Sequence, residues 1–204
     1  MLTRFKTLEF GQRMYSVSND NKSILFDPGY LSEEVLVEVT SRVEKPIAIF
    51  LTHGHFDHLN GIPQIQKVIG DIPIFIDPLD GPLLKQNRLL QFVTKSKSVP
   101  FLLENYLSIE DSLSKTILDE FRVEAISTPG HTPGSTCFIY DRVLISGDTL
   151  IRREIGPTML PGGNPVSMRK TLLKLKASNE FDTIAPGHGD FFSKLELDWT
   201  IGDL

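Results

Sequence analysis

From its first residues the chain alternates short apolar runs with turn-forming clusters, before any helical period appears. Leu2 to Phe10, Met14 to Val17 and Ser23 to Phe26 are strand-like, separated by Gly11 and by Ser18-Asn19-Asp20-Asn21. Phe26-Asp27-Pro28-Gly29 closes this region with a turn. A helix is expected next: Ser32 can cap it, Glu33 and Glu34 suit its first turn, and Val35, Leu36, Val39 and Val43 share one face. Pro46 then leads into Ile47-Ala48-Ile49-Phe50-Leu51, an unbroken apolar run. The proline and the β-branched residues favour a strand buried on both faces over a short buried helix.

Further on, Ile74-Phe75-Ile76 predicts a strand and Asp80 to Val93 a helix with a proline near its start. Phe121 to Ile126, Thr136 to Tyr140 and Val143 to Ile145 predict strands. Asn164 caps a helix with Pro165 in its first turn, an apolar stripe of Met168, Leu172 and Leu175, and Lys174 and Lys176 near its C-terminus. Thr183-Ile184-Ala185 predicts a last short strand. The order is β-rich and then mixed, without repeat, low-complexity stretch or linker, which predicts one domain over residues 1–204.

Composition narrows the picture only modestly. With 40% hydrophobic and 23% charged residues the chain is ordinary globular material, and a net charge of −5 removes the usual electrostatic reason to expect a nucleic-acid partner. No apolar stretch approaches the roughly 18 residues of a membrane span, and Met1 to Phe10 lacks the run of a signal peptide. Cys137 is the single cysteine, so no intrachain disulfide can form; it sits in an apolar strand and reads as a buried structural thiol. These features predict a cytoplasmic protein with neither membrane nor nucleic-acid partner.

The chemistry concentrates in Thr52-His53-Gly54-His55-Phe56-Asp57-His58, directly after the buried run. Four potential ligands within six residues cannot face one point from a regular strand or helix; a turn can bring them together, with Gly54 supplying backbone freedom. Three further loops share this character: Thr128-Pro129-Gly130-His131, Ser146-Gly147-Asp148-Thr149 and Pro186-Gly187-His188-Gly189. All five histidines thus lie in loops leaving strands, where ligand sites of α/β proteins concentrate. Histidine with carboxylate suits zinc, manganese or iron.

His-x-His-x-Asp-His followed by a later His, Asp and His resembles the metallo-β-lactamase superfamily, from Phe26-Asp27-Pro28-Gly29 to Pro186-Gly187-His188-Gly189. The resemblance implies an α+β fold, a four-layer αββα sandwich of two mixed sheets flanked by helices, with metals at one edge. It implies that His53, His55 and His131 hold one divalent metal and Asp57, His58 and His188 a second. Asp148 would bridge them, and Asp57 and Asp148 would serve catalysis by a metal-activated hydroxide. Two zinc ions are the expected cofactors, with iron or manganese as alternatives. Asp27 would hold loops around the ligands.

Within that superfamily, Gly147-Asp148-Thr149-Leu150 and Leu160-Pro161-Gly162-Gly163 resemble the small glyoxalase II-like proteins, which implies hydrolysis of a small thioester such as an S-acylglutathione. The chain departs from relatives in two ways. Only 16 residues follow His188, without the helical domain of glyoxalase II proper, and Gly156-Pro157-Thr158 stands where relatives commonly have Gly-Arg-Thr. The alternatives are a mononuclear-iron persulfide dioxygenase using His53, His131 and Asp148, a phosphodiesterase or ribonuclease, and a non-catalytic metal-binding module. Arg152 and Arg153 read as surface residues and Trp199 as packing. The segment from Asp80 to Asp111 either covers the cleft, forms a dimer face or packs as ordinary core.

Overall fold

The computed structural model describes residues 1–151 and 153–199. The first half builds a six-stranded sheet. β1 (Leu2–Lys6), β2 (Arg13–Ser18) and β3 (Ser23–Phe26) run antiparallel, and β3 continues in parallel through β4 (Pro46–Phe50), β5 (Ile74–Ile76) and β6 (Leu107–Ser108). The helices α1 (Glu33–Arg42), α2 (Ile62–Ile69) and α3 (Gly81–Thr94) connect these strands. After α4 (Ser112–Glu120), the second half builds a five-stranded sheet from β7 (Glu124–Ser127), β8 (Thr136–Tyr140) and β9 (Val143–Gly147). A small hairpin of β10 (Leu150–Ile151) and β11 (Glu154–Ile155) and the helix α5 (Pro165–Ala177) follow. β12 (Thr183–Pro186) then pairs in parallel with β9, and β13 (Phe192–Ser193) closes the edge.

The period of two along each strand sorts the apolar side chains into layers. Ile24, Phe26, Ala48, Phe50 and Phe75 of the first sheet meet Phe138, Ile145 and Ala185 of the second in one central core. Their neighbours point outward: Leu25, Ile49, Ile74 and Ile76 pack beneath Val39 of α1, Ile65 of α2 and Leu84 of α3. On the far side Cys137, Ile139, Leu144 and Ile184 pack under Met168, Leu172 and Leu175 of α5. The result is the αββα sandwich expected. Aromatic rings fill its middle, Phe26 lying 4.9 Å from Phe138 and Phe50 stacked 4.9 Å from Phe75.

The structure differs from the sequence reading in several places. The first strand stops at Lys6 rather than Phe10, because Phe10 and Gly11 both take positive φ in the β1–β2 turn. α2 and α4 appear where no helix was expected. α2 is only eight residues long, has Pro63 as its second residue after the Gly61 cap and buries just Ile62 and Ile65. α4 ends at Glu120 with Phe121 as its C-cap, so that residue caps a helix instead of opening a strand, and β7 begins at Glu124. No helix among the described residues is long and apolar enough to cross a membrane.

Candidate metal centre

Four loops leave the C-terminal ends of β4, β7, β9 and β12 and converge where the two sheets share an edge. After β4, Thr52 turns the chain into a short 3-10 helix, Phe56–His58, which brings His53, His55, Asp57 and His58 inward. The β7–β8 loop brings His131, β9 ends at Asp148, and β12 delivers His188. Gly187 permits the last approach: a Cβ there would lie 2.3 Å from Asp148 Oδ1 and 2.7 Å from His58 Cε1. Arg13 and Tyr15 of β2 fix the same loop, with Arg13 N–H donating to the Gly187 carbonyl at 2.8 Å and the Tyr15 hydroxyl to that of Pro186 at 2.7 Å.

The ligand-type atoms fall into three overlapping groups: His53 with His55 and His131, His53 with His58 and Asp148, and Asp57 with His58 and His188. In the first, His55 Nδ1 lies 3.1 Å from His53 Nε2 and 3.0 Å from His131 Nε2. A tetrahedral centre with bonds of about 2.0–2.1 Å requires ligand separations of about 3.3 Å, close to these values. In the third, His188 Nε2 lies 3.2 Å from Asp57 Oδ2 and 3.3 Å from His58 Nε2. The Asp148 carboxylate faces both, with Oδ1 3.3 Å from His58 Nε2 and Oδ2 3.3 Å from His188 Nε2 and 3.7 Å from His131 Nε2.

Hydrogen bonds on the outer side of the rings decide what the inner nitrogens can do. His131 Nδ1–H donates to the Pro157 carbonyl at 2.7 Å and His188 Nδ1–H to the Phe10 carbonyl at 3.1 Å. His58 Nδ1–H donates to Asp27 Oδ2 at 2.9 Å. The Thr52 hydroxyl donates to Asp27 at 2.7 Å and so accepts from His53 Nδ1–H at 3.1 Å. With Nδ1–H committed outward, each of these four rings turns Nε2 inward, and in its neutral form offers there the lone pair a metal requires. His55 alone turns Nδ1 inward, and its buried Nε2 has no hydrogen-bond partner among the described residues. Lone pairs crowded at about 3 Å repel one another unless protons or a cation lie between them, so the donor set fits divalent metal. Asp27 holds a loop as expected, and Pro157, whose side chain cannot act as an arginine would, orients His131 through its backbone oxygen.

Charge divides the cluster. Burial lowers the pKa of His53 well below the ordinary range and that of His55 to about 4, with neighbouring histidines adding to it. Burial opposes protonation of His58 and His188 too. There the carboxylates win: Asp148, Asp27 and Asp57 raise His58, and Asp148 with Asp57 raises His188 to about 10. Burial likewise disfavours the Asp148 anion, but His188 and His58 outweigh it and hold Asp148 well below its usual range. His53 and His55 are thus held neutral, whereas His58 and His188 lie in a carboxylate-rich pocket where metal must compete with protons.

A cavity of about 200 Å³ opens over His55, Asp57, Asp148 and His188, walled by Phe10, Phe56, Leu90, Thr94 and Leu160. Leu90 and Thr94 belong to α3, so this part of the segment from Asp80 to Asp111 borders the cleft. Phe10 holds φ at +52°, rare for a bulky residue, with its ring edge-on to Phe56 at 6.0 Å. Cys137 lies apart from the ligands, its Sγ 3.2 Å from Thr128 Oγ1, and burial pushes its thiol up to about 11. Arg153 pairs with Glu196 on the surface at 2.9 Å, Trp199 packs against the α5 core, and Arg152 lies outside the described residues. Sequence reasoning did not single out Asp80 and Asn87, which bind the ligand loops from α3. The signal was faint: Asp80 follows the apolar strand Ile74–Ile76 by four residues, on the same edge as the histidines, and Asn87 left none.

Comparison with known proteins agrees with this geometry. The family model of the metallo-beta-lactamase superfamily matches residues 9–188. An uncharacterised protein of Aquifex aeolicus is 34% identical over 181 residues, covering 86% of this chain and 83% of its own. The protein YqgX of Bacillus subtilis, named a probable metallo-hydrolase, is 29% identical over 184 residues, with 86% and 83% covered. Among solved structures, TTHA1623 in a di-iron-bound form superposes with a TM-score of 0.78 at 28% identity, covering 94% of both chains. The BLEG-1 B3 metallo-beta-lactamase does so with 0.78 at 26%, covering 95% of this chain and 94% of that one.

Proposed function

The chain belongs to the metallo-beta-lactamase superfamily, and on that premise we propose that it is a metal-dependent hydrolase of small acyl substrates, a thioester such as an S-acylglutathione being the best fit. The observation that carries the reading is the convergence of seven ligand-type side chains on one edge, with the outer nitrogens of four histidines committed to fixed acceptors. His53, His55 and His131 would hold one divalent ion, Asp57, His58 and His188 a second, and Asp148 would serve both. Zinc suits these donors, and iron, the metal named for TTHA1623, suits them as well. Bound there, the ions would lower the pKa of water into the neutral range and polarise the acyl carbonyl.

The protein's own groups do the rest. Asp57, at the cavity floor, orients the attacking water and takes its proton. Phe10, Phe56, Leu90 and Leu160 exclude solvent from the acyl group and hold it over the ligands. Leu160 belongs to the Leu160-Pro161-Gly162-Gly163 segment, one of the features supporting the glyoxalase II-like branch.

The test combines metal analysis of protein purified without added metal with an assay on S-lactoylglutathione. About two zinc or iron equivalents with thioester turnover support the proposal. One iron, no thioester turnover and oxygen consumption with glutathione persulfide would replace it with the dioxygenase reading. No metal bound under any loading condition would end both.

A further inference from the structure

Asp80 lies at the start of α3, outside every group of ligand-type side chains, and is fully buried. A buried carboxylate away from a cation is costly unless donors surround it. Its Oδ2 accepts from the Gly54 amide at 2.8 Å and from the Thr132 hydroxyl at 2.8 Å, and its Oδ1 from the Gly134 amide at 2.7 Å. Gly54 sits between His53 and His55, and Thr132 follows His131, so all three donors lie on the two loops that carry the first group of histidines. Two turns along α3, buried Asn87 donates its side-chain amide to the Gly54 carbonyl at 2.9 Å, so the peptides on both sides of Gly54 are held from one helix. The Gly134 loop is equally committed to this contact: a Cβ there would lie 2.8 Å from the Asp80 carboxyl carbon. The expectation that Gly54 supplies unusual backbone freedom is corrected here. Gly54 is not among the positive-φ residues, and its backbone is pinned at both ends.

We propose that Asp80 is the positioning residue of the His53, His55 and His131 half of the site, holding both of its loops with one carboxylate. Asp27 acts differently: it bonds His58 Nδ1 of the other half directly and holds Thr52 through its amide and hydroxyl, the hydroxyl in turn accepting from His53 Nδ1–H. Asp27 thus reaches both halves, whereas the bonds of Asp80 fall only on the loops of the first. The inference rests on the metal-site reading above, and its consequence is selective: loss of Asp80 loosens one half and spares the other.

The experiment measures zinc affinity by competition with a chromophoric chelator in two backgrounds, His188→Ala to disable the second half and His131→Ala to disable the first. Adding Asp80→Asn to the His188→Ala protein is expected to weaken zinc binding about 10–100-fold, the range for groups that orient metal ligands. Adding it to the His131→Ala protein should leave affinity within about twofold. Thr132→Val removes one of the three donors, leaves the carboxylate in place, and should give a smaller loss with the same selectivity. Cobalt absorption spectra of the same proteins should change shape only in the His188→Ala background. Equal loss in both backgrounds, or none in either, overturns the role of Asp80 while the metal-site reading stands. If the unaltered chain binds no zinc, both fall.

Discussion

Asp57 differs from the histidines around it in keeping 12% of its side chain exposed while its Oδ2 lies 3.2 Å from His188 Nε2, so it borders the cavity and the cluster at once. Asp57→Ala is expected to lower kcat by about 10²–10⁴-fold, the usual share of a positioned general base, in protein whose metal content matches the parent. Unchanged turnover at matched metal content would remove Asp57 from the chemistry. Cys137 tests the other extreme, a group that does nothing at the site. Its pKa is raised by burial to about 11, so the folded state holds the thiol proton more tightly than the unfolded chain. Its contribution to stability is therefore complete at neutral pH and is lost as pH climbs from about 9 through about 11. The melting temperature of the parent should fall more steeply than that of Cys137→Ala across that window, and parallel curves would contradict it. At this scale the seven ligand-type side chains that the fold brings together were legible, because histidine next to aspartate in a glycine-rich turn has few other uses. Asp80 was not, since Asp77-Pro78-Leu79-Asp80 reads equally well as an ordinary helix start. The Pro157 carbonyl was not legible either, because a backbone acceptor leaves no trace in the residue type.

Strands were easier to anticipate than helices. β3, β4, β8 and β12 carry apolar side chains toward a sheet neighbour on one face and a helix layer on the other, which produces unbroken runs no solvent-facing element would show. α1 and α5 announced themselves through caps and a stripe, with Ser32 accepting from Val35 N–H at 3.2 Å and Asn164 from Ser167 N–H at 2.9 Å. α2 and α4 bury too few residues to leave a period, so tertiary packing decided them. Phe138 is the element-scale test of the sandwich. It is fully buried, stands on β8, and touches the rings of Phe26 and Phe50 across the gap between the sheets. Phe138→Ala should cost about 3–5 kcal/mol by urea denaturation, as a large cavity would. A loss below about 1 kcal/mol would mean that the two sheets do not meet there.

For the molecule as a whole, the site is also a fastener. His53, His55, Asp57 and His58 follow a strand of the first sheet, whereas His131, Asp148 and His188 follow strands of the second. A metal bound across that edge would tie the sheets together and would bind the unfolded chain far less well. Saturation at about 100 times the dissociation constant should add about 2.7 kcal/mol of stability. Differential scanning calorimetry with zinc and then with excess chelator should show a clear fall in melting temperature. Identical curves, in protein shown to be loaded, would mean that the cation does not link the two halves.

The outer contact of His188 has a further consequence, for the order of events in the cell. His58 and His188 face each other from positions 130 residues apart, and His188 is held by the carbonyl of Phe10 in the first turn of the chain. A ribosome releases the N-terminal end first, at about 5–20 residues per second. The cluster at residues 53–58 is therefore exposed for several seconds before its last partner has been made. In that interval it is a short peptide with three imidazoles, open to any loosely held copper, nickel or zinc in its surroundings. On the proposed metal-site reading, the shape of the site could begin to select among ions only once β12 has docked, and the finished fold would then have to expel or inherit whatever the nascent chain had picked up.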